Sequence, residues 1–245
     1  LLLVCNAGEE GLGNLKGVHK ICEDYGDRME RFCTFDSSLS SIVDRAVGSK
    51  RFRVRVRTRG GHSYNNFGND NAIACLASLV GELYGIRVPE GGKTTYNVGM
   101  ISGGTSVNTI AQEAEMLYEF RSDRRENLEY MERQFMKVID RGKSEGMDVS
   151  LEIIGVRPCE GPVDPKRKQA LSDWAHRVVE EMTGQAPKHC AGSTDCNIPL
   201  SLGIPSVCVG SFRGAGAHTR EEYVETDSLE EGYKVAFGMI FGSRD

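Results

Sequence analysis

The sequence predicts an α/β domain, a sheet flanked by helices, interrupted by an inserted α+β module. Three stretches carry that expectation. The first opens on Arg51-Phe52-Arg53-Val54-Arg55-Val56-Arg57-Thr58-Arg59, whose strict alternation gives a strand with one basic and one apolar face, as in a sheet with one wet side. A helix is expected next over 69–84, then strands over 94–101 and 115–121, an amphipathic helix over 126–143 and a last strand over 148–154. That β-α-β-β-α-β order is the split, ferredoxin-like arrangement. The second stretch precedes it. Residues 1–5 form a short apolar run bounded by Asn6-Ala7-Gly8 and read as a buried strand. A helix is expected over 12–24, with Leu15, Val18, Ile21 and Cys22 at helical spacing, and a strand over 31–35 ends at Asp36. The third stretch begins after Pro158, where a helix over 166–182, a strand over 206–209 and a helix over 228–241 restore the α/β texture. The expected domains are therefore 1–49 together with 158–245, and 50–157 inserted between them.

Composition narrows the function. A net charge of −5, from 30 Lys and Arg against 35 Asp and Glu, argues against a protein that neutralises phosphates over a broad surface. No apolar run approaches the ~20 residues that span a bilayer, so no membrane helix is expected. The eight cysteines are scattered without a Cys-x-x-Cys pair and read as reduced, which points to a reducing, cytoplasmic setting. The basic strip over 51–59 could track a nucleic-acid backbone, but no aromatic residue shares its face, and a wet sheet face explains it more simply.

Five places could carry chemistry. Gly8-Glu9-Glu10-Gly11 puts two adjacent carboxylates at the expected carboxyl end of a strand, where ligands bind in open α/β sheets. One could ligate a metal while the other stays free as a base; a solvated turn at a helix N-terminus is the plainer alternative. Gly214-Ala215-Gly216-Ala217-His218 lets the backbone approach a ligand and aims a lone imidazole. Gly60-Gly61-His62-Ser63 ends the basic strand. Gly103-Gly104-Thr105-Ser106-Val107-Asn108 precedes Arg121 by thirteen residues, and an Asn and an Arg so placed can hold an oxyanion and a carboxylate, although turn chemistry accounts for the glycines too. Gly192-Ser193-Thr194-Asp195 reads as a binding loop or simply as a helix N-cap. His19 and His176 fall in helices and His189 precedes Cys190 without a ligand-like context, so all three read as structural.

Taken in order, these segments resemble the M20 family of dinuclear zinc peptidases and amidohydrolases, over nearly the whole chain. The resemblance implies Glu9 as general base and Glu10 as metal ligand, with Asp36 as the next carboxylate ligand and His218 as the C-terminal ligand. It implies that His62 stabilises the tetrahedral intermediate, reaching a partner's site in a homodimer formed through the inserted lid, that the lid pair Asn108 and Arg121 binds substrate, again across the dimer, and that Gly192 meets the substrate. It further implies two Zn2+ ions in each protomer, with Co2+ or Mn2+ also accepted by such ligands. The substrates implied are short peptides, the first expectation, or N-acyl amino acids.

The family's His-x-Asp motif and bridging Asp are not in this sequence, which opens on Leu-Leu-Leu-Val without an initiator Met. An N-terminal segment is therefore expected to be missing, and the chain alone to be an incomplete hydrolase; a non-catalytic dimerisation protein is the alternative. A dinucleotide site is a further rival, because Gly11-Leu12-Gly13-Asn14-Leu15-Lys16-Gly17 approaches G-x-G-x-x-G and Asp36 follows at a suitable distance. Against it, the third glycine is displaced by one residue and Glu9-Glu10 would face a pyrophosphate.

Overall fold

The computed structural model describes residues 1–217 and 219–242. In chain order its elements are α1 (Lys16–Tyr25), β1 (Phe32–Phe35), β2 (Ser41–Ala46), β3 (Gly48–Arg57), β4 (Gly61–His62), α2 (Ala72–Tyr84), β5 (Thr94–Gly103), β6 (Thr109–Ile110) and β7 (Glu113–Ser122). They continue with α3 (Arg125–Ser144), β8 (Asp148–Arg157), α4 (Pro165–Thr183), β9 (Lys188–Gly192), α5 (Asn197–Ser201), β10 (Ser206–Val209), β11 (Gly214–Ala215), β12 (Tyr223–Val224) and α6 (Leu229–Phe241). The chain divides into two compact units, Leu1–Val47 with Arg157–Asp245, and Gly48–Val156. Among the described residues no helix is long and apolar enough to cross a membrane.

The first unit is built on a mixed sheet of order β1-β10-β2-β9. β1 and β10 run parallel, β10 and β2 antiparallel, and β2 and β9 parallel. Helices α4 and α6 cover one face. The i, i+3, i+4 spacing of Leu171, Trp174, Ala175, Val178 and Val179 gives α4 one apolar side, which packs with Ile42, Val207, Val209 and the α6 residues Val235 and Met239. Asp164 starts α4 by accepting from the Lys166 and Arg167 amides, Pro165 occupies the first turn, and Gly184 ends it at φ +70°. The other face packs Val43 and Cys208 against Cys196 and Leu200 of the α5 region. Asn197, fully buried, donates to the carbonyls of Val47 and Pro158 at 2.9 Å each, tying together the two points where the chain departs for the second unit and returns.

Two expectations for this unit need correction. Residues 1–5 form no strand and are exposed, Leu1 at 93%. An apolar run becomes a buried strand only where a sheet edge pairs with it and helices cover it, and none of the described strands takes it as a neighbour. The helix expected over 12–24 begins four residues later, because Asn14 and Leu15 adopt left-handed φ values of 51° and 64° after a 3-10 turn over Gly11–Gly13. The short strands β2 and β9 gave no alternation to read, since Ser-Ile-Val-Asp-Arg-Ala and Lys-His-Cys-Ala-Gly mix charge and apolar residues without period.

The second unit has a sheet of order β5-β7-β3-β8 with α2 and α3 on one face, which is the ferredoxin-like arrangement expected. β7 pairs antiparallel with both β3 and β5. The apolar face of β3, Phe52, Val54 and Val56, meets Met116, Tyr118 and Phe120 of β7, and Phe135 of α3 stacks on Phe52 at 4.4 Å between centroids and on Tyr118 at 5.2 Å. The opposite face is a ladder of cross-strand ion pairs: Arg51–Glu119 at 3.2 Å, Arg55–Glu115 at 2.6 Å, Arg57–Glu113 at 3.0 Å and Arg53–Glu152 at 2.7 Å. The arginine strip thus carries its own counter-charges.

Glu119 reports on that ladder. Burial raises its pKa, but hydrogen bonds and charge from Arg121 and Arg51 outweigh burial and hold the carboxyl below its ordinary range. A carboxylate depressed in the folded state contributes stability above its unfolded value and loses it as pH falls through the folded one. The second unit is therefore expected to hold this contribution above the ordinary glutamate value of about 4.3 and to lose it on further acidification. Glu119→Gln should flatten that acid limb, as read by hydrogen exchange of the β7 amides over an acid series.

Candidate active site

In the first unit, Glu9 and Glu10 sit on an irregular segment entering the 3-10 turn, not at the end of a strand as the sequence suggested. The glycines nearby serve close packing. A Cβ on Gly13 would fall 2.6 Å from the Gly8 carbonyl oxygen, and one on Gly17 would overlap Asn6 Oδ1. The glycine pattern is thereby explained without a nucleotide.

Glu9 is held by Arg157, the first residue after the inserted unit. Arg157 is 5% exposed; its Nη1 donates to Glu9 Oε1 at 2.9 Å and to Ser193 Oγ at 3.1 Å, and its Nη2 donates to the Glu9 carbonyl at 2.6 Å. Asp195, 7% exposed, accepts from Asn6 Nδ2 at 2.5 Å through Oδ2, while its Oδ1 is buried without a partner. Burial pushes the Glu9 carboxyl above its ordinary pKa; Arg157 opposes this, and the charges of Glu10, Asp36 and Asp195 add to it. Burial raises Asp195 as well, opposed by the Asn6 hydrogen bond and Arg157 and assisted by Asp36. Four carboxylates therefore share one field.

Asp36 follows β1 and is exposed, as is Glu10. Gly192 closes β9, and its carbonyl accepts from the Val47 amide at 2.7 Å. Because β1 and β9 run in opposite directions, Asp36 and Gly192 leave the sheet at opposite edges, and the chain after Gly192 brings Asp195 back toward Asp36. Arg157 and Asn6 escaped selection from the sequence, and Ser193 and Asp195 were noticed only as members of a loop. A buried arginine next to a domain boundary leaves no local pattern, although Asp195 lay within the Gly-Ser-Thr-Asp loop already noticed. The cysteines here are inert thiols, since burial pushes Cys33 and Cys208 up to about 12.

Asp195 Oδ1, buried and unsatisfied, is an oxygen that a cation could satisfy, and the exposed Glu10 and Asp36 are carboxylates within electrostatic reach of Glu9. His218 lies outside the described residues. Among those that are described, no three His, Cys, Asp or Glu side chains stand close enough together to hold an ion.

The second unit brings His62 and Asn108 together. β4 pairs with β6, His62 opposite Thr109, and the Ser63 amide donates to the Asn108 carbonyl at 3.0 Å. His62 Nδ1 accepts from the Tyr64 amide at 3.2 Å and the Asn65 amide at 3.4 Å, which places the ring proton on Nε2 as an exposed donor. Asn108 Oδ1 accepts from Ser106 Oγ at 2.9 Å, leaving the amide nitrogen as the donor end. Arg121 is elsewhere. It lies at the far end of β7, eight residues beyond Glu113 or ~26 Å along an extended strand, and grips Glu119 with Nε and Nη2 at 2.9 and 3.1 Å.

Comparison with known proteins gives this arrangement its relatives. Residues 46–147 match the peptidase dimerisation domain of the M20 type. The chain is 31% identical over 227 residues to a protein of Haemophilus influenzae that is itself a homolog of one component of p-aminobenzoyl-glutamate hydrolase, covering 85% of this chain and 51% of that one. It is 25% identical over 245 residues to a succinyl-diaminopimelate desuccinylase of Nitrosospira multiformis, covering 94% of this chain and 63% of that one. It thus spans between half and two thirds of the length of these relatives. The crystal structure of aminopeptidase PepT from Bacillus cereus shares the fold, with a TM-score of 0.71 at 21% identity over 96% of this chain and 62% of that chain. Residues 46–147 thus match a peptidase dimerisation domain of the M20 type, and over most of its length the chain is similar to hydrolases of amide bonds.

Proposed function

We propose that this chain forms the greater part of a metal-dependent hydrolase that cleaves the amide bond of N-acyl amino acids or short peptides. The observation that carries this reading is the ion pair of Glu9 with the buried Arg157 at 2.9 Å, with Glu10, Asp36 and Asp195 within electrostatic reach of Glu9. Both curated relatives are named for amides in which an amino acid carries an acyl group, which favours that class over free peptides.

Glu10, Asp36 and His218 would hold metal, Zn2+ or a similar ion, together with donors of the complete protein. Bound there, the ion would polarise the scissile carbonyl and lower the pKa of water toward ~7. Glu9 takes a proton from the attacking water and returns it to the leaving amine; its upward-shifted pKa suits that exchange better than an ordinary glutamate would. Ser193 and Arg157 keep the Glu9 carboxyl oriented. His62 Nε2–H and the Asn108 amide are donors on neighbouring backbone segments, suited to a developing oxyanion.

Arg121 and the His62–Asn108 pair stand at opposite ends of the second unit, so a homodimer through residues 46–147 is the natural way for both to serve one substrate, each from a different chain. The scattered cysteines, buried Cys22, Cys196 and Cys208 among them, suit a reducing compartment. The test is hydrolysis of an N-acyl amino acid by the complete protein before and after chelation. Activity lost on chelation and restored by Zn2+ or Mn2+ supports the reading. Full activity in metal-free protein overturns it.

A further inference from the structure

On the sheet face covered by α4, opposite the face on which Cys190 packs with Val43 and Cys196, four side chains form one hydrogen-bonded row. Ser172 Oγ donates to Asp44 Oδ2 at 2.8 Å, His189 Nδ1 meets the same oxygen at 2.7 Å, and His189 Nε2 meets His176 Nδ1 at 2.8 Å. The two imidazole planes differ by only 6°, with centroids 5.1 Å apart, so the rings meet edge to edge.

The carboxylate settles the protons. Asp44 only accepts, so the proton of His189 lies on Nδ1 and its Nε2 is a bare acceptor. That nitrogen takes a hydrogen bond from His176 Nδ1–H, which leaves His176 Nε2 bare and turned toward Glu180 Oε2 at 3.9 Å. This end of the row is poorly matched, a lone pair facing a carboxylate. Moving the His176 proton to Nε2 would put it on the side of Glu180, and would leave two lone pairs converging across 2.8 Å, an arrangement that a cation stabilises once the nitrogens open slightly.

We propose that His176 and His189 bind a divalent transition-metal ion of the Zn2+ class, separate from the carboxylate cluster around Glu9. A carboxylate fixing the outer nitrogen of a ligating histidine is the usual support for such a ligand, and Asp44, itself held by Ser172, supplies it. With Zn–N bonds of about 2.0–2.1 Å and a near-tetrahedral angle, the nitrogens must stand roughly 3.4 Å apart. His176 supplies that opening, since it sits on the outer side of α4, is partly exposed, and is held through its ring nitrogens by His189 and, distantly, Glu180. The side chains are 31% and 34% exposed, so water can complete the coordination and the ion has a way in. No proton need leave, because the His176 proton transfers from Nδ1 to Nε2 and faces Glu180, whose charge partly offsets the ion's.

The experiment is Zn2+ titration of the full 245-residue chain, followed by the imidazole 15N resonances. Two histidines are expected to shift together, one through Nδ1 and one through Nε2. H176Q and H189Q should each weaken binding at least tenfold, and D44N, which removes only the outer carboxylate, by about 10–100-fold. The double variant E10Q/D36N should leave these shifts unchanged. H176Q alters a half-exposed helix position and decides the matter even if H189Q fails to fold. Zn2+ shifts that survive H176Q, or that vanish in E10Q/D36N instead, overturn the proposal without touching the hydrolase reading, whose own test is chelation of the complete protein.

Discussion

Glu9→Gln in the complete protein is expected to cut hydrolysis by about 10²–10⁴-fold, the usual worth of a positioned general base, while bound metal and fold persist. Glutamine keeps an oxygen where Glu9 Oε1 accepts from Arg157 Nη1, and the Glu9 main-chain carbonyl still accepts from Nη2. The loop geometry is therefore retained and only the proton-accepting capacity is lost. Three readings on one sample separate the possibilities: turnover, metal per chain, and the unfolding curve from Trp174, the one tryptophan of the chain, buried in α4. A fall in turnover with metal and unfolding unchanged assigns the base. Turnover near the parent rate removes Glu9 from that role.

Arg157→Ala should act on the fold instead, destabilising the first unit by about 3–5 kcal/mol, because it strips one partner from an ion pair with little access to water. Glu9, already lifted by burial and by three neighbouring carboxylates, would lose the guanidinium that opposes that lift. The Ser193 hydroxyl and the Glu9 carbonyl lose donors at the same time. Arg157→Lys should recover only part of this, since one ammonium cannot reproduce a planar fork spread over three acceptors. Denaturant unfolding followed by Trp174 fluorescence measures both variants. A shift under ~1 kcal/mol for the alanine would put the pair among solvated surface bridges.

The architecture was legible wherever elements were long and strictly periodic. β3, β7, α3 and α4 each carry eight or more residues of one pattern, and the sequence reading placed them within a few residues of their ends. It failed at residues 1–5, where hydrophobicity signals burial but says nothing of which edge is available to pair. It failed again at β2 and β9, whose identity depends on neighbours distant in sequence. The site was legible as residue types in order. What stayed hidden was relational: that Arg157 grips Glu9, that Asp195 is left with an unsatisfied oxygen, that His62 lies beside Asn108 while Arg121 is a strand's length away. None of these follows from spacing, because each joins segments that only the fold brings together. His176 and His189 make the same point. Each reads alone as structural, and only the pairing of β2 with β9 beneath α4 aligns them with Asp44.

The clasp made by Asn197 has a consequence for how such a chain is assembled. One carboxamide nitrogen reaches the carbonyls of both Val47 and Pro158, so the two cut ends of the host unit lie side by side within the span of a single side chain. Residues 48–156 are therefore a cassette. A splice of about two or three residues, at 3.8 Å between successive Cα atoms, would close the host without moving any strand of its sheet. By the same geometry, another module with adjacent termini could be seated in that socket, leaving Glu9, Asp36 and Asp195 in place.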